Sequence, residues 1–345
     1  MTTDKIFGTP LAKPDAVALF SRGLDSILAI KVIQQQGLAV QGIHFTTPFY
    51  NADSRRREND FIRQTKENYG IPLCIVDLSD DFLTMLAEPV HGYGKNFNPC
   101  IDCKLLMMRR ARELAARWGA AFLITGEVIG QRPFSQRRDT MRIIERDAGV
   151  TGILLRPLSA KLLPPTRPEE EGLVEREKLY DFSGRGRKPQ LQLARELGID
   201  KFPTPAGGCL LTDPAFAERV RTLYEAGHRP PPREIELLKY GRFYHLGGPE
   251  FLIVGRKKSE NQELQRLAGA QEVIFRLAER PGPLGVYTGS PARLPELAPL
   301  LIRHSKARNE EQVKLAWRRG DETGAFIFTR PATPEAMPAP NDGKK

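Results

Sequence analysis

Four small or polar residues follow the first apolar run of the chain with the spacing of a phosphate-binding turn. In FSRGLDSILAIK, Ser21 and Gly23 come directly after the run AVALF (16–20), and Asp25 and Ser26 open a helical pattern. Glycine lets the backbone approach a ligand closely, and the first N–H groups of a helix attract anions. Asp25 suits such a site when Mg²⁺ bridges its carboxylate to a polyphosphate. The alternative is an ordinary helix cap, in which Asp25 or Ser26 satisfies the terminal N–H groups.

Three of the four cysteines form a second candidate site. Cys100 and Cys103 lie in NPCIDCK, which we expect to be a loop before a helix, and Cys209 follows two glycines in PAGGCLLTD. Such cysteines can bind a metal, form a redox pair or simply pack. Three cannot complete a four-cysteine zinc site, but they suit a [4Fe–4S] cluster with one open iron, where sulfide can bind. In the other mechanism, Cys209 carries a persulfide that Cys100 or Cys103 resolves as a disulfide.

The composition is typical of a globular chain with a polyanionic partner. Cys74, in the apolar stretch LCIVDL, is expected to be a small buried hydrophobe. No run reaches the about 18 apolar residues of a membrane helix and the N-terminus lacks a signal core, so we expect a cytoplasmic protein. Fifty-two basic and 42 acidic residues give a net charge of +10, which suits nucleic acid. A basic surface kept for solubility would give the same net charge.

Alternating patterns over residues 16–128 predict the framework that positions the first site. Apolar runs indicate strands, and periodic segments between them indicate helices at 25–36, roughly 55–69 and 105–118. This alternation predicts an α/β fold with a doubly wound parallel sheet. The strands are expected at 16–20, 40–45, 73–78 and 121–128.

The rest of the chain divides by composition. Residues 129–214 are rich in Arg, Pro and Gly, and we expect long functional loops around one helix at 189–198. GHRPPPRE is stiff enough for a linker, and a small α+β module follows it. The predicted organisation is an extension at 1–15, a first domain at 16–226, a linker at 227–236, a module at 237–330 and a disordered tail at 331–345.

The segment TGEVIGQRPFSQ (125–136) places polar residues where a doubly wound sheet binds ligands. Gly126 ends a strand and permits close approach of the backbone to a nucleotide. Gln131 and Ser135 can bond a base edge or a ribose. Three arginines can neutralise phosphate, although each taken singly fits a solvent-facing charge equally well: Arg132, Arg137 and Arg138.

Several of these motifs resemble those of known families. The loop FSRGLDS resembles the PP-loop of ATP pyrophosphatases, usually SGGxDS, with Arg22 in place of the second glycine. NPCIDCK resembles the NPCxxCN segment of tRNA 2-thiouridylases, and KPQLQLARELGI…PAGGCL resembles the region before their second active cysteine. TGEVIGQRPFSQ is similar to the GExxGQxxSQ segment of tRNA 4-thiouridine synthases. The likeness extends over about residues 14–215.

The resemblance implies a reaction and its residues. In these families ATP adenylates a uridine carbonyl oxygen, and sulfur then displaces AMP. The implied catalytic residues are Cys100, Cys103, Cys209 and Asp25, and Asp25 is expected to bind Mg²⁺. For the three cysteines, a [4Fe–4S] cluster is favoured over a persulfide. The implied ATP-binding residues are Ser21, Arg22, Gly23, Leu24, Asp25, Ser26, His44 and Gly126. The implied partners are tRNA and a sulfur donor, either sulfide or a persulfide-carrying protein.

A second resemblance concerns the C-terminal module. FLIVGRKKSENQELQRLA resembles the RNA-binding domain of NFACT-type proteins through Gly255, Arg256, Lys257, Lys258 and Asn261. A cationic turn that caps a helix is a reader of backbone phosphates. The predicted RNA-binding set therefore comprises Gln131, Arg132, Arg137, Arg138, Arg256, Lys257, Lys258 and Asn261. Phe243, Tyr244 and His245 either stack on an unpaired base or, for two of the three, fill a small core.

Three hypotheses for function follow. The favoured one is an ATP-dependent tRNA sulfurtransferase, because the loop, the cysteines and the basic module agree. The second is an ATP pyrophosphatase that acts on a small molecule, which tRNA binding with a steep salt dependence would exclude. The third is a non-catalytic RNA-binding protein whose PP-loop has decayed at Arg22. Release of pyrophosphate discriminates the first hypothesis from the third.

Overall fold

The computed structural model describes residues 5–51, 57–132, 135–203, 208–331 and 339–341. The chain forms two compact units, the first from residues 1–93 and 99–208 and the second from 94–98 and 209–345. The stretch 209–226, which we predicted as the end of the first domain, thus belongs to the second unit. Short 3₁₀ turns lie at Ala160–Leu162, Arg176–Lys178, Leu210–Thr212 and Pro291–Arg293.

A mixed sheet forms the centre of the first unit. Its strands are β1 (Ile6–Phe7), β2 (Ala16–Leu19), β3 (Val40–Thr46), β4 (Leu73–Asp77), β5 (Phe122–Thr125) and β6 (Leu154–Leu155). They lie in the order β1-β4-β3-β2-β5-β6. All neighbours pair in parallel except β1, which lies in the predicted N-terminal extension and pairs antiparallel to β4. The predicted α/β fold with a parallel sheet is confirmed.

Helices cover both faces of this sheet. They are α1 (Leu24–Gln34), α2 (Glu58–Tyr69), α3 (Ser79–Ala87), α4 (Cys100–Trp118), α5 (Arg138–Ala148), α6 (Arg167–Glu170) and α7 (Lys188–Glu196). α1 and α7 share one apolar core, which includes Ile27 and Leu193. α4 and α5 share the other, which includes Met108 and Ile144. The sheet changes direction at β2, and doubly wound sheets bind ligands beyond the carboxyl ends of their strands at such a point.

Two helices differ from the sequence-based expectation. α4 begins at Cys100, so the C-x-x-C lies in its first turn and not in a loop before it. This turn is polar, and apolar periodicity becomes visible only from Leu105 onward. α5 lies in the stretch that we expected to be irregular. The sequence of α5 is mostly charged and its apolar stripe is narrow, so the helical period is weak. Met141 and Ile144 of this stripe are buried.

The second unit contains an antiparallel sheet. Its strands are β7 (Arg242–Gly247), β8 (Glu250–Val254), β9 (Val273–Leu277), β10 (Leu284–Tyr287), β11 (Gln312–Arg319) and β12 (Glu322–Thr329), in the order β12-β11-β9-β10-β8-β7. Its helices are α8 (Pro214–Glu225), α9 (Pro232–Leu237), α10 (Lys258–Leu267) and α11 (Leu294–Ile302). The helix α9 occupies part of the predicted linker. This arrangement confirms the predicted smaller α+β domain.

One face of the second sheet packs against α11. Phe275, Leu277 and Leu315 from the sheet meet Leu297 and Leu301 from the helix in a buried core. α8 begins at Asp213, whose Oδ1 accepts a hydrogen bond from the Phe216 N–H at 2.8 Å, with proline at the first helical position. In the described ranges of both units, every helix is too short or too polar to span a bilayer.

Candidate active site

The loop of residues 21–26, hereafter the ATP loop, lies at the carboxyl end of β2, where the sheet order changes. Leu19 at the end of β2 pairs with Thr125 at the end of β5, so the loop and Gly126 lie at the same sheet edge. Gly23 is the N-cap of α1 with an extended backbone, and Asp25 is in the first turn. At the start of α1 the Ser26 N–H donates to the Gly23 carbonyl at 3.1 Å, which leaves the N–H groups of Leu24 and Asp25 for a ligand at the same edge. This is the geometry expected of a phosphate-binding turn.

Two serines close the ATP loop on itself. The Ser26 hydroxyl donates to the Gly23 carbonyl at 2.7 Å and accepts from the Ser21 N–H at 3.3 Å. The Ser21 hydroxyl lies 3.3 Å from Ser26 Oγ and accepts from the Gly23 N–H at 3.4 Å. Ser26 is buried, whereas Ser21 is exposed. Ser26 therefore holds the loop in shape, and Ser21 is the hydroxyl that a ligand can reach.

Arg22 adopts the backbone conformation that the usual glycine would supply. Its φ is 69°, in the left-handed region, where a non-glycine residue costs roughly 1–2 kcal/mol. Its guanidinium carbon lies 5.0 Å from the centre of the Phe61 ring, in a cation–π contact. Arg22 thus adopts a left-handed conformation that favours glycine and adds a positive charge to the loop.

Two predicted ATP-binding residues lie in the core beneath the ATP loop. His44 is completely buried, and its Nδ1 lies 2.8 Å from the Phe20 carbonyl oxygen. Burial lowers the pKa of His44 to about 4, so the ring is neutral and its Nδ1–H donates to Phe20. The Leu24 side chain is also fully buried, which leaves its backbone N–H for a ligand. These contacts give both residues a positioning role, and ligand contact by either stays a prediction.

Asp25 has one carboxylate oxygen that is bonded and one that is not. Oδ2 accepts a hydrogen bond from Gln131 Nε2 at 3.2 Å. Oδ1 is buried and, within the described part of the chain, has no hydrogen-bond partner. Burial raises the pKa of Asp25, and the Gln131 hydrogen bond and the charges of Arg187 and Arg132 oppose that shift. A buried carboxylate oxygen without a partner is a fitting ligand for Mg²⁺, which takes one or two carboxylates at phosphate sites.

Gly126 is required at its position for a reason that the sequence did not reveal. A Cβ atom there would lie 2.5 Å from the Asp25 carbonyl and from the Ser26 nitrogen. The glycine therefore lets the end of β5 touch the first turn of α1. Its predicted contact with the nucleotide stays a prediction, but its contact with the ATP loop is a property of the fold.

Sequence reasoning missed a buried charge cluster at this edge. Glu127 accepts hydrogen bonds from Lys104 Nζ at 2.8 Å and from Arg156 Nε at 3.1 Å, and Arg156 also pairs with Glu145. Burial alone would raise the pKa of Glu127, but Lys104 and Arg156 outweigh it and lower the pKa to about 2. Lys104 follows Cys103 directly, so this cluster ties the cysteine helix α4 to the end of β5.

Arg187 was also missed. It is the N-cap of α7 and acts on the Asp25 carboxylate through its charge. Its Nε is buried and, among the described residues, makes no hydrogen bond. The sequence pattern that could have identified Arg187 is FSGRGRKPQ, which contains three cationic residues and two glycines. Arg187 thus adds a cation to the ATP loop.

The cysteines divide between the two units. Cys100 is exposed and Cys103 half-buried in the first turn of α4, in the first unit. Cys209 is half-buried in the second unit, where Thr212 Oγ1 donates to its carbonyl at 2.6 Å and Asn96 Nδ2 donates to the Thr212 carbonyl at 2.8 Å. Cys74 is fully buried, and burial raises the pKa of its thiol to about 11, which confirms the expected packing role.

The donor types suit an iron–sulfur cluster, but their arrangement gives no direct support for one. In the ranges that the structure describes, no three Cys, His, Asp or Glu side chains are grouped to hold a metal ion. Cys100 and Cys103 are one helical turn apart on α4, so their side chains share a face of that helix. They supply two thiol ligands, and the third from Cys209 stays a prediction.

The predicted RNA-binding residues near the ATP loop have different surroundings. Gln131 bonds Asp25, and the Arg132 N–H donates to Gln136 Oε1 at 3.0 Å, which closes the loop before α5. Arg137 is the exposed N-cap of α5 and pairs with Asp139 at 3.3 Å. Arg138 begins α5 and is exposed. Ser135 is described by the structure, whereas residues 133–134 lie outside the described ranges.

Residues 255–258 of the second unit are hereafter called the cationic turn. Many polar groups in and beside this turn are hydrogen-bonded to neighbouring residues of the same unit. Glu260 accepts from the Arg256 N–H at 2.9 Å and pairs with its guanidinium at 2.9 Å. Asn261 donates to the Gly282 carbonyl at 3.1 Å and accepts from the Leu284 N–H at 3.3 Å. Lys257 and Lys258 are exposed. Both lysines are therefore accessible to RNA, as are Arg137 and Arg138 of the predicted set.

The aromatic platform of the second unit is mostly core. Phe243 and Tyr244 are buried, and the Tyr244 hydroxyl lies 2.8 Å from His304 Nε2. His245 Nε2 lies 3.0 Å from the Gly248 carbonyl oxygen. This confirms that two of the three rings fill the small domain, so they are unavailable for base stacking.

Two segments of the chain match known family models. Residues 12–161 match the family model for the thiamine biosynthesis protein (ThiI), and residues 241–339 match that for the NFACT protein RNA binding domain. The resemblance inferred from the motifs is confirmed for these two segments.

Three curated relatives align with the chain. It is 25% identical over 142 residues to a probable tRNA sulfurtransferase of Thermococcus kodakarensis, covering 41% of this chain and 36% of that protein. It is 32% identical over 113 residues to the tRNA-specific 2-thiouridylase MnmA of Syntrophotalea carbinolica, covering 31% and 32%. It is 27% identical over 236 residues to a probable tRNA sulfurtransferase of Aeropyrum pernix, covering 67% and 53%. The chain thus spans from about a third to about half of the length of these relatives.

A solved 4-thiouridine synthetase in complex with RNA and bound ATP is 22% identical to the chain. The overlap covers 54% of this chain and 52% of that chain, with a TM-score of 0.35.

Proposed function

We propose that the chain is a cytoplasmic, ATP-dependent tRNA sulfurtransferase that adenylates a uridine carbonyl oxygen and replaces that oxygen with sulfur. The observation that carries this proposal is the ATP loop with Asp25, whose buried Oδ1 has no partner within the described residues, in a segment that matches the ThiI family model. The curated relatives, named as tRNA sulfurtransferases and a 2-thiouridylase, support the same reaction class.

The ATP loop binds the phosphates of ATP in this proposal. The free N–H groups at the start of α1 and the Ser21 hydroxyl face the ligand, and Arg22 and Arg187 supply positive charge. Asp25 would hold Mg²⁺ through Oδ1, and the ion would neutralise charge on the triphosphate as pyrophosphate leaves. Because the loop is bonded to itself through Ser26, little reorganisation is needed on binding.

The first chemical step forms an adenylate. The uridine carbonyl oxygen attacks the α-phosphorus of ATP, the bond between the α-phosphorus and the bridging oxygen breaks, and pyrophosphate leaves with the electron pair. Gln131 donates to Asp25 and so fixes the orientation of the carboxylate during this step. The activated carbon then carries AMP as a leaving group.

The second step brings sulfur to that carbon. We assign it to Cys100, Cys103 and Cys209, since Cys74 is buried and inert. A [4Fe–4S] cluster, if bound by the three thiolates, would supply an open iron for sulfide. Lys104 and Glu127 fix the start of α4 against β5, which holds Cys100 and Cys103 at the sheet edge that carries the ATP loop. AMP leaves with the former uridine oxygen. Sulfide as donor displaces AMP directly, whereas the outer sulfur of a persulfide attacks the carbon and a second thiolate then breaks the S–S bond by forming a disulfide with the donor cysteine.

The test uses purified full-length protein, an unmodified tRNA transcript, Mg²⁺-ATP and sulfide under anaerobic conditions. We expect pyrophosphate release and a thiouridine in the digested tRNA, detected by nucleoside mass spectrometry. Cys103→Ser should abolish the thiouridine and spare pyrophosphate release. Cys74→Ala is the matched control and should retain both, because that side chain is buried away from the site.

Three outcomes would contradict the proposal. Pyrophosphate release that is independent of tRNA but stimulated by a metabolite would favour a small-molecule enzyme. Absence of pyrophosphate release with tRNA binding intact would favour a non-catalytic RNA-binding protein. A strain that lacks the gene and keeps every thionucleoside of its tRNA would exclude the proposed reaction in the cell.

A further inference from the structure

One face of the second sheet has cations and, among the residues that the structure describes, no covering helix over half of its width. In the β9–β11–β12 part, Ala316 pairs with Arg276 on one side and with Ala325 on the other. Lys314 and Arg318 lie two residues to either side of Ala316 and therefore point to the same face. We call this the open face, and its members are Arg276, Lys314, Ala316, Arg318, Thr323, Ala325 and Ile327, together with the buried Ile274 opposite Arg318.

The open face is accessible, in contrast to the rest of the sheet. Arg276, Lys314 and Arg318 are all exposed, and Ile327 is 62% exposed. The opposite face of the same strands is buried under α11 through Leu277 and Leu315. An amphipathic strand normally has one buried and one solvated face, so exposure alone would need no explanation. The charges on this face are what set it apart.

The cations of the open face are poorly neutralised. Over the ranges that the structure describes, Arg276 and Arg318 have neither an ion pair nor a hydrogen bond from their guanidinium groups. Lys314 lies 3.6 Å from Glu279, and both side chains are more than half exposed, so the pair is weak. Other arginines of the unit are paired, as Arg266 is with Glu263 and Arg280 with Glu310.

The three cations of the open face lie close together around small side chains. Arg276 lies diagonally across from both Lys314 and Arg318, a separation of roughly 7–8 Å between Cα atoms in antiparallel sheets. The side chains between the cations, Ala316 and Ala325, are small. A phosphate backbone can therefore approach the sheet and meet the three cations without displacing a bulky side chain.

We propose that the open face binds the phosphate backbone of RNA, through Arg276, Arg318 and Lys314. This inference rests on the proposed function for the identity of the RNA, which is tRNA. It adds an electrostatic contact on the sheet to that of the cationic turn, where Glu260 neutralises Arg256 but Lys257 and Lys258 are exposed. The contact carries no sequence information, because it involves phosphates only.

The experiment measures binding of a fluorescent tRNA transcript to the full-length chain by anisotropy over a range of KCl concentrations. The test variant carries Arg276→Gln and Arg318→Gln. The matched control carries Arg266→Gln and Arg280→Gln, which removes the same charge from the same unit at paired positions. Thermal unfolding and size-exclusion chromatography with light scattering are recorded for each protein.

We expect the test variant to bind tRNA about tenfold more weakly at moderate salt. The slope of log K against log salt should fall in magnitude by roughly 1.4, which corresponds to two lost phosphate contacts on single-stranded RNA. The control should change affinity less than twofold. The affinity for ATP in the absence of RNA should be equal in all three proteins, which separates this inference from the proposed chemistry.

Three results would overturn the inference. One is a test variant with unchanged affinity and slope. Another is an equal loss in the control, which would indicate a general charge effect. The third is a change of oligomeric state with tRNA binding unchanged, which would make the open face and the edge strand β12 a contact between copies of the chain. If the wild-type chain binds tRNA but forms no thiouridine, the proposed function fails while the open face is still tested.

Discussion

The ATP loop and the cationic turn share one sequence pattern and differ in how their polar groups are satisfied. Each follows a buried strand, contains a glycine and leads into a helix. In the ATP loop, Asp25 has a buried oxygen without a partner among the described residues. In the cationic turn, Glu260 bonds both the backbone and the side chain of Arg256, and Asn261 bonds two backbone groups. The first turn is open to a ligand, and the second is mostly closed by its own side chains.

This difference teaches where a motif indicates function and where it indicates structure. A carboxylate that is buried without compensation costs stability, and folds keep it when a ligand completes it. A carboxylate that pairs with a neighbouring cation stabilises its turn. The two turns can therefore be told apart by the sign of the change in stability when the carboxylate is neutralised.

The largest expected effect is that of Asp25→Asn. Pyrophosphate release should fall by about a thousand-fold, the upper end of what loss of one preorganised electrostatic group costs. Stability should rise by about 1 kcal/mol at pH 7, because the raised pKa of Asp25 means that its charge is disfavoured in the folded state. A coupled assay measures the fall in pyrophosphate release, and thermal unfolding measures the rise in stability. Loss of tRNA binding without loss of pyrophosphate release would break the comparison.

Glu127→Gln has the second largest expected effect. It tests a carboxylate of the first unit whose two oxygens both have partners. Removing one charge of a buried cluster costs about 3 kcal/mol, since Lys104 loses its partner and Arg156 keeps only Glu145. Because the pKa of Glu127 is lowered to about 2 from 4.5, its contribution is present above pH 4.5 and is lost as the pH falls toward 2. Urea unfolding at pH 3 and pH 7 measures this. A variant whose loss of stability is equal at both pH values would contradict the assignment.

Glu260→Gln is the counterpart of Asp25→Asn in the second unit. It should lower stability by about 1.5 kcal/mol, because Glu260 accepts hydrogen bonds from the backbone N–H and the guanidinium of Arg256, and solvent screens the exposed part of this pair. Pyrophosphate release should be unchanged when measured below the unfolding temperature. A gain in stability, as expected for Asp25→Asn, would show that the cationic turn is also an open site.

Arg22→Gly has the smallest expected effect and restores the usual glycine of the PP-loop. It should raise stability by about 1 kcal/mol, since glycine adopts a φ of 69° without strain. It should also weaken ATP binding by roughly tenfold if the guanidinium beside Phe61 neutralises phosphate. Arg22→Lys, which keeps the charge and the strain, is the matched control. Equal ATP affinity in the glycine variant would assign Arg22 a structural role only.

Much of the fold could be predicted from the sequence, because the apolar runs of β2 to β5 are short, continuous and separated by helical periods. The start of α4 and the whole of α5 could not, since their polar first turns and narrow apolar stripe carry little periodic signal. The loop Ser21–Ser26 was identifiable because a serine and glycine spacing after a strand has few other uses. The partners of its charges were not, because Arg187 and Gln131 are distant from Asp25 along the chain.

The sequence by itself determined the α/β class, the position of the ATP loop and the supply of cysteines and cations. These are local properties, set by backbone preference and by side-chain type within a few residues. The tertiary structure alone decided which polar groups stay unsatisfied. It left Oδ1 of Asp25 buried without a partner among the described residues, paired Arg256 with Glu260 and placed Arg276, Lys314 and Arg318 on one uncovered face. Such outcomes depend on contacts between distant segments, which no local pattern encodes.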